Sequence, residues 1–235
     1  MPVLLPEDLV RPLPRMYRVR QRFDDERIED VAAAVKSELS RLCRISPPPA
    51  GARVAVAVGS RGIRNLRLVV ETAVSFLKDR GLRPFIVSAM GSHGGGTAEG
   101  QKEVLAGYGI TEEALGVPFE ISLDTVELGK CANGAPVWFD RAALSADLIL
   151  PINRVKLHTD FTGPLQSGIC KMLVIGLGNH RGCSATHEEE FSVFAEAIEE
   201  RARLIMSKAP VWGGLALVEN AYDRTCKVLA LPAQG

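Results

Sequence analysis

The sequence has no surplus of charge of either sign. Its 28 lysine and arginine residues are balanced by 28 aspartate and glutamate residues, so the formal net charge at pH 7 is +0. Proteins that bind nucleic acid use an excess of basic side chains to release counterions from the phosphates. No such excess and no long run of one sign occurs here, so we expect no nucleic-acid partner.

Close pairs of cysteines are also missing. The five cysteines are odd in number, scattered and never spaced as CxxC: Cys43, Cys131, Cys170, Cys183 and Cys226. A structural zinc site usually has close pairs of thiolates, and a secreted disulfide framework usually has an even count. The pattern therefore indicates free thiols in the reducing cytoplasm.

Long apolar runs are absent as well. The sequence contains no stretch of about eighteen apolar residues, the length that a membrane-spanning helix needs. The apolar part of segment 1–8 is short and interrupted by prolines, unlike a signal peptide. We therefore expect a cytoplasmic protein without a membrane partner.

What the sequence does contain is an alternation of apolar strands and amphipathic helices. Of its 235 residues, 46% are hydrophobic, which is enough for a large core. Apolar runs at Arg53–Val58 and Arg83–Met90 are each followed by a glycine loop and a helical pattern. This order predicts a Rossmann-like α/β fold, with a mostly parallel sheet and helices on both faces.

Further elements follow from the same periodicities. Apolar residues at three- and four-residue steps predict a first helix over 26–42, and Asn65 and Thr97 are expected to cap later helices. Beyond these come peripheral strands at 119–123, 126–130 and 136–139, a central strand at 146–153, the inner face of a helix at 172–177, an acidic helix over 187–208 that includes Phe191, and closing strands at 212–220 and 225–231.

Three loops at the carboxyl ends of predicted strands carry Arg61, His93 and His158. In an open α/β sheet this edge is where ligands bind. An arginine there suits a carboxylate, because its planar guanidinium donates two parallel hydrogen bonds. Two histidines facing one cleft suit a reaction that needs a base on one side and an acid on the other.

Each of these residues also has an ordinary interpretation. Arg61 could be a surface charge, His93 a bystander in a loop that cradles phosphate, and His158 a hydrogen-bonded core histidine. Taken singly, the ordinary interpretation is at least as good. Their coincidence on one predicted edge favours a binding site.

Lys171 lies among apolar residues, where burial lowers the pKa of a lysine and prepares it as a nucleophile or covalent anchor. The alternative is a lysine that extends along a helix flank to reach water. Just before it, Gly163, Ser167 and Gly168 could present backbone amides and a hydroxyl to a phosphate.

His180 and His187 are interpreted as two histidines joined by a loop. Either could be a single metal ligand. Their spacing is not that of a zinc site, so spacing alone argues against metal binding.

Together these residues resemble the lactate racemase family that uses a nickel-pincer nucleotide. The resemblance extends from about residue 52 to 231 and includes Gly91-Ser-His93-Gly, Thr97-Ala-Glu-Gly-Gln, Tyr108-Gly-Ile-Thr-Glu-Glu, Lys156-Leu-His158 and Thr186-His187. Its most specific part is the interval from Lys171 to His187.

This resemblance implies a role for each residue. Lys171 would hold the pyridinium mononucleotide through a thioamide, and His187 would complete the nickel coordination beside two sulfurs and one carbon. His93 and His158 would alternate as base and acid while a hydride moves to the cofactor and back. Arg61 would hold the carboxylate of a 2-hydroxy acid, and separate maturation proteins would load the cofactor.

The chain also departs from the family pattern. The interval from His158 to Lys171 is longer than in the prototype, which predicts a remodelled loop around 162–166. An apolar Val-Gly-Ser segment stands where the family has an acidic residue before Arg61, which indicates a different substrate. Residues 1–235 are expected to form a single α/β domain equivalent to the N-terminal, cofactor-binding lobe, with the C-terminal lobe absent from this chain.

The sequence thus predicts a racemase or epimerase of a 2-hydroxy acid, which could form homo-oligomers. One alternative is an oxidoreductase that uses an NAD-type nucleotide, although neither GxGxxG nor the acidic residue that would follow it is present. The other alternative is an α/β module that binds a ligand without catalysis.

Overall fold

In the computed structural model, residues 10, 12, 14–159, 161–163, 165–190 and 192–233 are described. Their strands are β1 (Arg53–Val58), β2 (Arg83–Ser88), β3 (Thr125–Lys130), β4 (Pro136–Asp140), β5 (Leu148–Arg154), β6 (Gly213–Glu219) and β7 (Thr225–Pro232). Their helices are α1 (Val31–Ile45), α2 (Leu66–Asp79), α3 (Ala98–Gly107), α4 (Glu112–Leu115), α5 (Arg141–Leu144), α6 (Ile169–Lys171), α7 (Asn179–His187) and α8 (Phe194–Lys208).

Five of the strands form one sheet in the order β2-β1-β5-β6-β7. The first four are parallel, and β7 pairs antiparallel with β6. Strands β3 and β4 form a separate antiparallel pair. The predicted α/β class and mostly parallel sheet are confirmed.

Each face of the sheet has its own hydrophobic core. Along β1 the valines Val54, Val56 and Val58 pack on the side of α1 and α2, whereas Ala55 and Ala57 pack on the opposite side. That opposite side is covered by α8 and the β3–β4 pair. Because both faces are buried, β1 is apolar without the alternation of a half-exposed strand.

The helix starts agree with the sequence only in part. Helix α1 begins at Val31, five residues later than predicted, because Asp30 caps it by accepting a hydrogen bond from Ala33 N at 2.8 Å. Thr97 caps α3 as expected, accepting from Gly100 N at 3.0 Å. Asn65 precedes α2 without capping it, since its amide donates to Thr225 Oγ1 at 3.3 Å.

Two predicted elements were wrong. Segment 119–123 is not a strand, and only Phe119 pairs, in an isolated bridge with Ile86. The residues between His180 and His187 are not a loop but belong to α7, and the acidic helix predicted over 187–208 begins later, at Phe194, as α8. Phe191 and segment 1–8 lie outside the described residues. No helix in the described part of the chain is long and apolar enough to cross a membrane.

Helix α7 begins at Asn179, which adopts a left-handed backbone with φ 51°. The buried carboxylate of Asp140 holds it there, because Oδ2 accepts a hydrogen bond from Asn179 Nδ2 and Oδ1 accepts one from Ala143 N, both at 2.7 Å. Burial raises the pKa of Asp140 from an ordinary 3.8 to about 6, even though these hydrogen bonds favour the charged form. The contact joins the end of β4 to the helix that carries His187.

Asp140→Asn keeps the shape of this side chain but cannot ionise. Folded wild-type protein holds the Asp140 proton more tightly than the unfolded chain does, so its stability from this group is lost as the pH rises through about 6. As the pH rises from about 4 to about 7, we expect the unfolding free energy of the variant to increase relative to that of wild type by up to about 3 kcal/mol. Urea unfolding at a series of pH values measures this difference, and a difference independent of pH would contradict it.

Candidate functional site

A cleft of about 410 Å³ lies at the carboxyl edge of β1, β2 and β5. Seven of the eight residues predicted for the site line it: Arg61, His93, His158, Ser167, Gly168, Lys171 and His187. Gly163 is not among the lining residues. It packs instead against α8, where an added Cβ would lie 2.4 Å from Ala195 Cβ.

The charge on the wall of this cleft is of one sign. Arg61, Arg154, Lys156 and Lys171 line it, and none of the lining residues that the structure describes is an aspartate or glutamate. The carboxylate of Glu219 lies behind the wall and binds Arg154 Nη1 at 2.6 Å. A chain without net charge thus concentrates positive charge in one cleft, which suits an anionic ligand.

The loop that carries His93 depends on glycine. Gly91, Gly94, Gly95 and Gly96 all have left-handed backbones, with φ between 59° and 67°. At Gly94 a Cβ would also lie 2.7 Å from the backbone of the first turn of α3. Only glycine combines this conformation with so close an approach.

The buried side chain of Gln101 fixes this loop from below. Its Nε2 donates to the carbonyls of Gly91 at 3.1 Å and His93 at 3.4 Å, and its Oε1 accepts from Ser88 Oγ at 2.5 Å. The amide therefore connects the end of β2 to the backbone of His93 and determines where that residue lies.

The ring of His93 is fixed from the side by Ser60, whose hydroxyl bonds to Nδ1. Tyr108 donates to the carbonyl of Ser60 at 2.7 Å and so holds that partner in place. With Nδ1 engaged, Nε2 is the nitrogen left to exchange a proton with a ligand. Partial burial, followed by the positive charges of Arg61 and Lys171, lowers the pKa of His93 and favours the neutral base.

His158 lies on the loop between β5 and α6. Its backbone N–H donates to Gln166 Oε1 at 3.0 Å, and its ring packs on Phe161 with ring centroids 4.3 Å apart. Ser167 closes the same loop by accepting from Lys156 N at 2.9 Å and donating to Lys156 O. The Ser167 hydroxyl is therefore engaged within the loop, which makes it a poorer phosphate donor than the sequence indicated.

Lys171 ends the short helix α6 and is followed at once by a π-helical turn, Met172–Gly176. Turns of this kind occur frequently at functional sites. Gly176 lets the turn approach the end of β2, since a Cβ there would lie 2.8 Å from Ala89 O. The half-buried Lys171 is thereby held against the cleft wall.

His187 is the last residue of α7. Its Nδ1 lies 2.7 Å from the carbonyl oxygen of Cys183, which can only accept, so Nδ1 carries the proton. Nε2 then keeps its lone pair, as a metal-binding imidazole requires. Within the described residues no group of three or more histidine, cysteine or acidic side chains could hold a metal ion, so His187 would have to act with donors from a ligand.

The sequence did not identify several residues of the site. Asn153 and Arg154 end β5 and line the cleft, as does Cys183, while Gln101 and Tyr108 support its wall. The polar pair Asn153-Arg154 directly after an apolar run was a signal that could have identified the strand end. The part played by Gln101 depends on a bend that brings α3 back under the loop, and no local pattern encodes it.

Gln101→Met removes the buried amide at nearly constant volume. The carbonyl of buried Gly91 and the hydroxyl of Ser88 would lose their partner, so we expect a loss of about 1–3 kcal/mol in unfolding free energy. The neighbouring, exposed Lys102→Met is the control and should change it by less than about 0.5 kcal/mol. Equal effects of the two substitutions on urea unfolding would contradict the assignment.

Arg61→Met removes one of the two positive charges that act on His93. We expect the pKa of His93 to rise, because its charged form is then repelled less. NMR titration of the imidazole signals measures this directly, and Arg64→Met in the same loop serves as control. An unchanged pKa of His93 would show that Arg61 does not face it.

Comparisons with known proteins identify the family and the fold. The family described as lactate racemase N-terminal domain matches residues 52–197, more than half of the chain. The structure of the lactate racemase apoprotein from Thermoanaerobacterium thermosaccharolyticum superposes with a TM-score of 0.64 at 15% sequence identity. The match covers 91% of this chain and 56% of that chain.

No curated protein matches the sequence. The solved structure is too distant in sequence to establish more than the fold, and this chain spans little more than half of its length. The family match is independent of that superposition and covers the strands and loops that form the cleft, from β1 to α7. The chain therefore belongs to the lactate racemase N-terminal domain family.

Proposed function

We propose that this chain is the cofactor-holding part of an isomerase, a racemase or epimerase of a 2-hydroxy acid. One observation carries the proposal: Lys171, His187, His93, His158 and Arg61 line a single cleft at the carboxyl edge of a parallel sheet. A covalent anchor, a metal ligand, two proton carriers and a carboxylate partner are the groups that such a reaction needs.

The residues present fit a nickel-pincer nucleotide. A mononucleotide carries a phosphate, which suits Arg154 and Lys156 beside the anchoring lysine. The pincer brings two sulfurs and one carbon, so one imidazole is enough to complete four soft donors around nickel. His187 offers that imidazole, with Nε2 as the lone-pair nitrogen. When bound, the cofactor would accept a hydride from the substrate carbon and return it.

The side chains of this chain would handle the proton and the carboxylate. Arg61 would hold the substrate carboxylate, while partial burial and the positive charge of Arg61 lower the pKa of His93 and favour its neutral form. Neutral His93 would take the hydroxyl proton through Nε2 on one face, and His158 would do the same on the other. Loss of the hydroxyl proton and of a hydride from the carbon gives a 2-oxo acid. Return of the hydride to the opposite face of that carbon, with a proton returned to the oxygen, inverts its configuration.

The chain also fits a role as one lobe of a larger enzyme. Its fold corresponds to 56% of the solved lactate racemase chain. We propose that residues 1–235 supply the cofactor site and the acid–base pair, and that a second lobe would close the cleft and exclude water. We also propose that separate proteins load the cofactor, that the substrate is a 2-hydroxy acid, and that the chain is cytoplasmic and could form homo-oligomers.

The test is to produce the chain together with cofactor maturation proteins and nickel, then to measure its intact mass and metal content. We expect a covalent adduct and about one nickel per chain. Lys171→Arg should abolish the adduct, whereas Lys156→Arg in the same cleft should retain it. His187→Ala should retain the adduct and lose nickel.

Other outcomes would contradict the proposal. Wild-type protein without an adduct, or an adduct that persists in Lys171→Arg, would remove the anchor on which it depends. Tight binding of NAD without an adduct would instead favour the nucleotide-dependent oxidoreductase. An adduct with nickel but no racemisation of any 2-hydroxy acid would indicate that the second lobe is required or that the chain only binds.

A further inference from the structure

Asn153 is a buried amide on the wall of the cleft. It lies near the end of β5 and is only 5% exposed. Among the described residues, neither its Nδ2 nor its Oδ1 has a hydrogen-bond partner. It takes no part in the proton and carboxylate contacts proposed above.

The surroundings of Asn153 make an apolar residue the simpler choice. It follows Ile152 and is in register with Ala216 of β6, within a strand buried along most of its length. An unpaired buried polar group costs about 1–3 kcal/mol. Such a cost, at a position that faces a ligand cleft, indicates that the amide is paired when the ligand binds.

The amide also lies beside the cofactor anchor. A Cβ added to Gly168 would be 4.0 Å from Asn153 Nδ2, and Gly168 precedes the short helix that ends at Lys171. Glycine at 168 thus leaves the space above the amide open. A group tethered to Lys171 could reach the Asn153 amide only if no side chain at position 168 fills this space.

The amide differs chemically from the other groups of the cleft. Arg154 and Lys156 can only donate hydrogen bonds, which is what a phosphate accepts. Asn153 offers a donor and an acceptor side by side, and a phosphate would leave the acceptor unpaired. A pair of neighbouring hydroxyls both donates and accepts, so it satisfies the whole amide.

We propose that Asn153 binds the vicinal hydroxyls of the ribose in the mononucleotide. The inference rests on the proposed function, because it takes the tethered nucleotide as the ligand. It assigns the sugar to the end of β5, with the phosphate held by the surrounding cations.

The experiment uses unloaded protein and calorimetric titration with nicotinic acid mononucleotide, its 2′,3′-dideoxy analogue and inorganic phosphate. Wild-type protein should bind the ribonucleotide about tenfold more tightly than the dideoxy analogue, and phosphate more weakly than either. Asn153→Ala and Asn153→Leu should lose about the same factor for the ribonucleotide. Neither variant should distinguish the two nucleotides, because the ribose hydroxyls have no amide partner once Asn153 is replaced.

Thermal unfolding separates binding from a structural role. Without ligand, the similarly sized Asn153→Leu should have an unchanged or higher Tm, because an unpaired amide has been removed. Asn220→Leu is the matched control and should lower Tm, since the Asn220 amide binds Glu26 O, Tyr222 N and Arg224 N. A clear fall in Tm for both Asn153 variants would make the amide structural and overturn the inference.

The binding outcomes separate the two proposals. If wild-type protein binds the nucleotides but does not distinguish ribose from dideoxyribose, or if the Asn153 variants bind as wild type does, the role of Asn153 is wrong and the proposed function stands. Equal affinities of wild type for the ribonucleotide and phosphate would likewise overturn it. Binding of no nucleotide by wild-type protein would contradict both.

Discussion

The whole site depends on the in-register pairing of three parallel strands. Val58, the last residue of β1, is level with Ser88 of β2 on one side and Ile152 of β5 on the other. The three loops that follow therefore leave the sheet side by side, although they are separated by up to about a hundred residues in sequence. A slip of one register position would turn the side chains of a strand to its other face. The packing of the β1 valines on one face and its alanines on the other opposes such a slip, and so keeps the three loops aligned.

The cleft shows how a chain without net charge can still present a positively charged surface. Its cations are gathered at one sheet edge, and the carboxylate that balances Arg154 is placed behind the wall at Glu219. The ligand thus meets donors without facing an acidic side chain of the described lining. The same arrangement favours the neutral form of His93, because partial burial lowers its pKa and the positive charges of Arg61 and Lys171 lower it further.

Much of this site could be predicted because strand ends and glycine loops are local signals. Arg61, His93 and His158 each follow an apolar run, and the Lys171-to-His187 interval carried the family resemblance. Helix α7 could not be predicted in this way, since its sequence is polar and contains Gly182. It forms because a distant carboxylate, Asp140, holds its first residue, and tertiary contacts of this kind leave no periodic pattern. The phosphate contacts expected from Gly163 and Ser167 were assigned by proximity to Lys171, whereas their atoms serve loop packing.

The glycine loop beside His93 limits how the specificity of the cleft can be altered. Gly94, Gly95 and Gly96 follow His93 in a backbone conformation that other residues rarely adopt, so the loop that positions His93 cannot accept new side chains there without strain. Directed evolution toward bulkier or more polar ligands would therefore have to select changes at other lining positions, such as the exposed Thr159. This loop is fixed by its backbone, and adaptation is left to the rest of the cleft.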